Sequence, residues 1–261
     1  MSAARRLIVN ADDLGRTPGI NRGIAEAHCR GIVTSATLMV THAAAAEVAR
    51  VARENPSLGL GLHVALTGGA PALSPERVPS LVDARGLLPA KPEGLAAADG
   101  CELRAEMRAQ LERFERLVGR LPTHFDSHHH AHRLPAVLEA LVELARETDL
   151  PVRCASPDMR ASLRAAGIAT TDAFVEDFFG DGATLTTLLR LVHALEPGVT
   201  ELMCHPAYVD DELRAGSSYA DARQHELAVL TSADARAAVR DAGVELVSFA
   251  ALACRSPPKP A

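Results

Sequence analysis

Five of the chain's eleven histidines fall within nine positions, in Thr123-His124-Phe125-Asp126-Ser127-His128-His129-His130-Ala131-His132. Imidazole is the commonest protein ligand for divalent transition metals. A carboxylate is its usual hydrogen-bonding partner, and it fixes which ring nitrogen is free. The run is internal and interrupted, and its flanks are apolar and strand-like, so a solvated polar loop describes it poorly. His128 and His132 are four apart and would share one face of a helix. His128 and His63 would instead converge from two strands, and the spacing does not choose between the two arrangements.

Three further polar positions follow apolar, strand-like runs: the adjacent pair Asp12-Asp13, His63 and His205. Neighbouring strand-end side chains point apart, so the two aspartates are expected to do different work, one binding metal and one free as a base. Two such close carboxylates also push each other's proton affinities apart. His63 taken alone reads more readily as a core histidine. Pro206 restricts His205 to extended geometry, which suits a fixed acid but equally an ordinary strand end. His28, His42, His193 and His225 are expected to be structural or solvated. Cys204 precedes His205, and a thiol nucleophile there is the weaker alternative to a metal.

The elements that would position these residues alternate between strand and helix. Strands are predicted at Leu7–Asn10, Val33–Val40, Leu58–Val64, Thr123–Ser127, Pro151–Cys154, Thr200–Cys204 and Glu245–Phe249. Helices are predicted from Thr17-Pro18, as N-cap and first turn, to near Gly31, then over 43–54, 101–121, 136–146, 184–195, 220–230 and 232–242. The segment 156–177 has no clear period, and 206–218 reads as a polar loop. Such alternation implies a parallel sheet. About seven strands favour a closed or nearly closed β/α barrel, in which all strand C-termini open on one face, so the four polar clusters would meet there. One domain is expected over 1–254. The Pro-rich stretch 68–100 would serve as a lid or interface, and the tail 255–261 is expected to fray.

Composition narrows the function class. A net charge of −6 offers no basic field for nucleic acid, and no apolar run reaches membrane-spanning length. The start, Met1 to Arg6, lacks a signal-peptide pattern, and the five dispersed cysteines include no CxxC pair, so a cytoplasmic protein without disulfides is expected. No GxGxxG or Walker pattern follows the first strand. Self-association as a homodimer stays open. The chain has no Trp and two Tyr, so aromatic stacking surfaces for a long polymer are scarce.

Taken in order, Asn10-Ala11-Asp12-Asp13-Leu14-Gly15, Gly31-Ile32-Val33-Thr34-Ser35-Ala36-Thr37, Gly61-Leu62-His63, Pro122 to His130 and Met203-Cys204-His205-Pro206 resemble the YdjC-like carbohydrate deacetylases, including chitooligosaccharide deacetylases. The resemblance runs from Leu7 to Phe249, with one departure at Leu14, where an aromatic is common. It implies a distorted or incomplete parallel (β/α) barrel and removal of acetate from a short N-acetylated sugar. It also implies one divalent metal, Mg2+ or Zn2+, held by Asp13, His63 and His128. Asp12 would be the base and His205, held as imidazolium, the acid. Asp126, His130 and His132 would support the ligands or the substrate. Two imidazoles and one carboxylate suit zinc better than magnesium. The competing readings are a metal-dependent phosphoesterase, which would want a second metal and nearby cations, with Arg16 and Arg133 as candidates, and a sugar-binding protein without turnover.

Overall fold

A computed structural model describes residues 4–253. The tail expected to fray therefore lies outside the described residues. In chain order the elements are β1 (Arg5–Leu14), α1 (Pro18–Arg30), β2 (Ser35–Leu38), α2 (Val48–Glu54), β3 (Gly59–Val64), α3 (Gly100–Val118), β4 (Phe125–Ser127), α4 (Pro135–Thr148), α5 (Pro157–Ala165), β5 (Ala173–Val175), α6 (Leu185–His193), β6 (Gly198–Cys204), α7 (Asp211–Gly216), α8 (Asp221–Leu230), α9 (Ala233–Asp241), β7 (Glu245–Leu246) and α10 (Ala250–Ala253). The strands form one parallel sheet in the order β4-β3-β2-β1-β6-β5, with β7 also on β1. The sheet curls into an incomplete barrel, as expected.

Several local predictions need correction. β1 runs on through both aspartates, so they lie within its end rather than after it. The run Pro151–Cys154 is not a strand. It makes a single bridge, Phe125 to Val152, and on its other side the Val152 N–H donates to the Ala169 carbonyl. The unassigned segment folds as α5 and β5, and the polar loop contains α7. The predicted helix at 43–54 starts as a 3₁₀ turn, Ala43–Glu47, before α2. Thr17 caps α1 by accepting the Ile20 N–H, with Pro18 in its first turn, as its sequence suggested.

Strand alternation sorts the interior into layers. Leu7, Val9 and Ala11 of β1 face the helices and join the large outer core. Ile8 faces inward and packs with Val199, Phe249 and Leu252 as a small apolar plug at the bottom of the barrel. The next inward positions are polar: Asn10 and Asp12 on β1, Thr37 on β2, His63 on β3, Asp126 on β4 and Glu201 on β6, all buried. Gly61 makes room for the His124 ring below this layer. A β-carbon there would meet the His124 imidazole at 2.4–2.7 Å. His124 stacks on Phe249 at 3.7 Å, and desolvation lowers its pKa to about 3, so it is a neutral core residue.

The long connection after β3 is pinned to α3. Glu106 accepts the N–H groups of Ala72 and Leu73, Glu102 accepts Ser80, and Gln110 both accepts from and donates to the Ala65 backbone. Among the described residues no helix is long and apolar enough to cross a membrane.

Candidate active site

A cavity of about 800 Å³ opens where the strands end, lined by Asp12, Asp13, His63, His128 and His205 among others. The predicted convergence of distant strand ends is therefore what the fold produces. Asp13 reaches it through an irregularity in β1. Between Ala11 and Leu14 the register against β2 shifts, and Asp13 adopts φ 70°. The extra residue turns the Asp13 carboxylate along a different path from that of Asp12. A left-handed residue without glycine's freedom costs about 1–3 kcal/mol and tends to persist at functional sites.

His63 and Asp126 are register partners on β3 and β4. Their side chains meet across the strands, and His63 Nδ1–H donates to Asp126 Oδ1 at 2.7 Å. Thr37 donates to the other Asp126 oxygen at 3.0 Å. This fixes the tautomer and leaves His63 Nε2 free toward Asp13 Oδ1, 3.4 Å away. His128 Nδ1 lies 3.1 Å from the same oxygen. Asp13 Oδ1 is buried without a hydrogen-bond partner, and the three ligand atoms lie within 4.8 Å of one another. An orphaned carboxylate oxygen facing two imidazole nitrogens fits a single divalent ion. The other Asp13 oxygen is taken by Arg223 at 2.5 Å, so the carboxylate presents one oxygen to that ion.

The alternative pairing of His128 with His132 does not form. Residues His128–Arg133 make a 3₁₀ turn broken by left-handed His129 and His130. His132 is buried and bonded to Ser127 Oγ, which also accepts its backbone N–H, so it holds the turn in place. His130 lines the cavity, with Nε2 3.5 Å from Glu176.

Arg153 is the largest fully buried side chain and sits in the polar layer. It grips both Asp12 oxygens at 2.7 Å, donates to Glu201 at 2.8 Å and lies 3.1 Å from Asp126. Burial pushes the Asp12 pKa up against the pull of this cation. Glu201 is raised to about 7 by desolvation, in keeping with its unpartnered Oε2. Asp12, His63 and Asp126 form a second carboxylate-histidine group, but the guanidinium already bonds both of its carboxylates. A second metal does not fit there.

His205 forms the opposite wall. Its backbone N–H donates to Glu226 Oε2 at 2.5 Å, and its ring meets Phe179 and Tyr219 edge-on. Desolvation and the nearby Arg223 hold its pKa well below the usual histidine value, so the resting ring is neutral rather than the expected imidazolium.

Sequence reasoning missed Arg153, Arg223, Glu201 and Glu226. For two of them the signal was a charged residue inside an apolar run, Val152-Arg153-Cys154 and Thr200-Glu201-Leu202. It also dismissed His42, which lines the cavity. Arg133 pairs with Glu176 and does not line the cavity. Cys204 is buried and its thiol pKa is pushed up by desolvation, which removes it as a nucleophile.

A His/His/Asp centre at the C-terminal rim of a parallel half-barrel, flanked by a tethered carboxylate and an imidazole, defines the class of metal-dependent hydrolases. Residues 6–241 match the YdjC-like proteins. The chain belongs to that family. It is 44% identical over 246 residues to a carbohydrate deacetylase of Geobacillus stearothermophilus, covering 94% of this chain and 97% of the relative. It is 37% identical over 250 residues to a chitooligosaccharide deacetylase of Yersinia pestis, covering 93% and 97%. Among solved structures, a candidate cellobiose-phosphate cleavage protein of Enterococcus faecalis V583 superposes with a TM-score of 0.91 at 34% identity, covering 96% and 99%.

Proposed function

We propose that this chain is a metal-dependent deacetylase that hydrolyses the N-acetyl group of a short N-acetylated sugar, such as a chitooligosaccharide or an N-acetylglucosamine unit. The observation that carries the reading is the orphaned Asp13 Oδ1, facing two imidazole nitrogens in the cavity that also holds Asp12 and His205. The family's carbohydrate deacetylases support it.

Asp13, His63 and His128 would hold the ion, and two nitrogens with one oxygen suit zinc better than magnesium. When bound, such an ion polarises a carbonyl and acidifies water. Asp12 accepts the proton of the attacking water. Arg153 holds that carboxylate in one orientation through both oxygens, so little rearrangement is needed as it acts. Asp126 and Thr37 orient His63. His205 gives its proton to the leaving nitrogen. Because its pKa is depressed, only a minor protonated fraction serves, but that fraction is a strong acid. His132 and Ser127 brace the turn that carries His128, and His130 faces the substrate. The net charge of −6 offers no basic field for nucleic acid as a partner.

The test is acetate release from a panel of N-acetylated mono-, di- and oligosaccharides, with and without added metals. Metal-dependent acetate release is expected. Phosphate release from phosphoesters instead would favour the phosphoesterase, and sugar binding without turnover would favour a sensor.

A further inference from the structure

Phe179 is out of place as a packing residue. It is 45% exposed, and of the four exposed large hydrophobic residues among those described it alone lines the cavity. Its ring does not hang free. Tyr219 stacks behind it at 4.1 Å and 17°, and the Tyr219 hydroxyl donates to buried Glu226 while accepting the Gly180 N–H at 2.9 Å. One face of Phe179 is thus backed and anchored. Its ring centroid lies 5.4 Å from that of His205, with the two rings inclined at 68°. An apolar ring face, backed on one side and exposed in the cavity, matches the C–H face of a pyranose.

We infer that Phe179, backed by Tyr219, is the stacking platform for the sugar ring whose acetamide is cleaved. The identity of the ligand rests on the deacetylase reading. The platform is one ring wide and adjoins His205, so it positions the ring that bears the leaving nitrogen and gives no hold on a long polymer.

The test pairs calorimetric binding of the glucosamine disaccharide, a product that needs no turnover, with steady-state kinetics on its N-acetylated form. Phe179→Ala should weaken binding and raise KM about tenfold, with kcat within about threefold, because stacking holds ground and transition states alike. Phe179→Trp should restore both, and metal content and Tm should match wild type. Unchanged Kd and KM in Phe179→Ala, or full rescue by Phe179→Leu, would overturn the platform. Wild-type protein that binds the sugar without releasing acetate would overturn the deacetylase reading alone, since the Phe179 comparison still decides the platform. Wild-type protein that binds no sugar would overturn both.

Discussion

Asp12 and Asp13 are chemically identical neighbours with opposite surroundings. Asp13 has one oxygen on Arg223 and one orphaned, whereas Asp12 has both on Arg153. Asp13→Ala, His63→Ala and His128→Ala should each abolish stoichiometric metal binding, as read by elemental analysis, while His132→Ala should keep it. Asp12→Asn should lose turnover and keep its metal, and an active variant would transfer the base role elsewhere. His205→Ala should lower the rate by roughly 10²–10⁴, the range for general acid catalysis. An acid is lost as pH rises through its pKa. The wild-type rate should therefore fall with rising pH from well below the ordinary histidine value, and the variant should lack that limb. An unchanged profile would point to His130 instead.

At the scale of elements, α8 ties the acid wall together. Its Glu226 holds the His205 N–H and the Tyr219 hydroxyl, and desolvation raises its pKa to about 7 from an ordinary 4.5. A carboxyl raised on folding favours the native state fully below its unfolded pKa and loses that contribution as pH climbs through the folded value. Glu226→Gln has no such loss. Its stability relative to wild type should grow by up to ~3 kcal/mol between pH 4.5 and 7, then level off, as read by denaturant titration. The elements also mark what was legible in the sequence. Thr17-Pro18 announces α1 because capping is local, and Asp126 and His128 stand out in the histidine-rich run, whereas His63 taken alone reads as a core histidine. Arg153 did not stand out, because its partners come from β1, β4 and β6, and only strand register brings them together. His42 was misjudged because it read as a residue away from the strand ends, whereas it directly precedes the 3₁₀ turn after β2 and lines the cavity.

For the whole molecule, an ion bound by residues from β1, β3 and the turn after β4 ties together elements far apart in sequence. A ligand that binds only the native state stabilises it by about 2.7 kcal/mol at a hundred times its Kd. Chelation should therefore lower the Tm of wild type and leave that of His63→Ala unmoved. A Tm indifferent to chelator in the wild type would mean the ion is not held by the native site. The curled sheet was predictable from the alternation of strands and helices, although the strands' ends were not, since sheet curvature decides where pairing stops.

The alternation of β1 has one more implication. Ile8, Asn10 and Asp12 face inward and Leu7, Val9 and Ala11 outward, so a slip of one residue exchanges the two sets. Such a slip would put aliphatic side chains at the metal rim and strand Arg153 without Asp12. The native alignment places the surplus residue of β1 between Ala11 and Leu14, and a slipped strand would have to place it elsewhere. A kinetically trapped chain would be compact and colourless to every activity assay, and its inability to take up an ion would be the signature that separates it from the native enzyme.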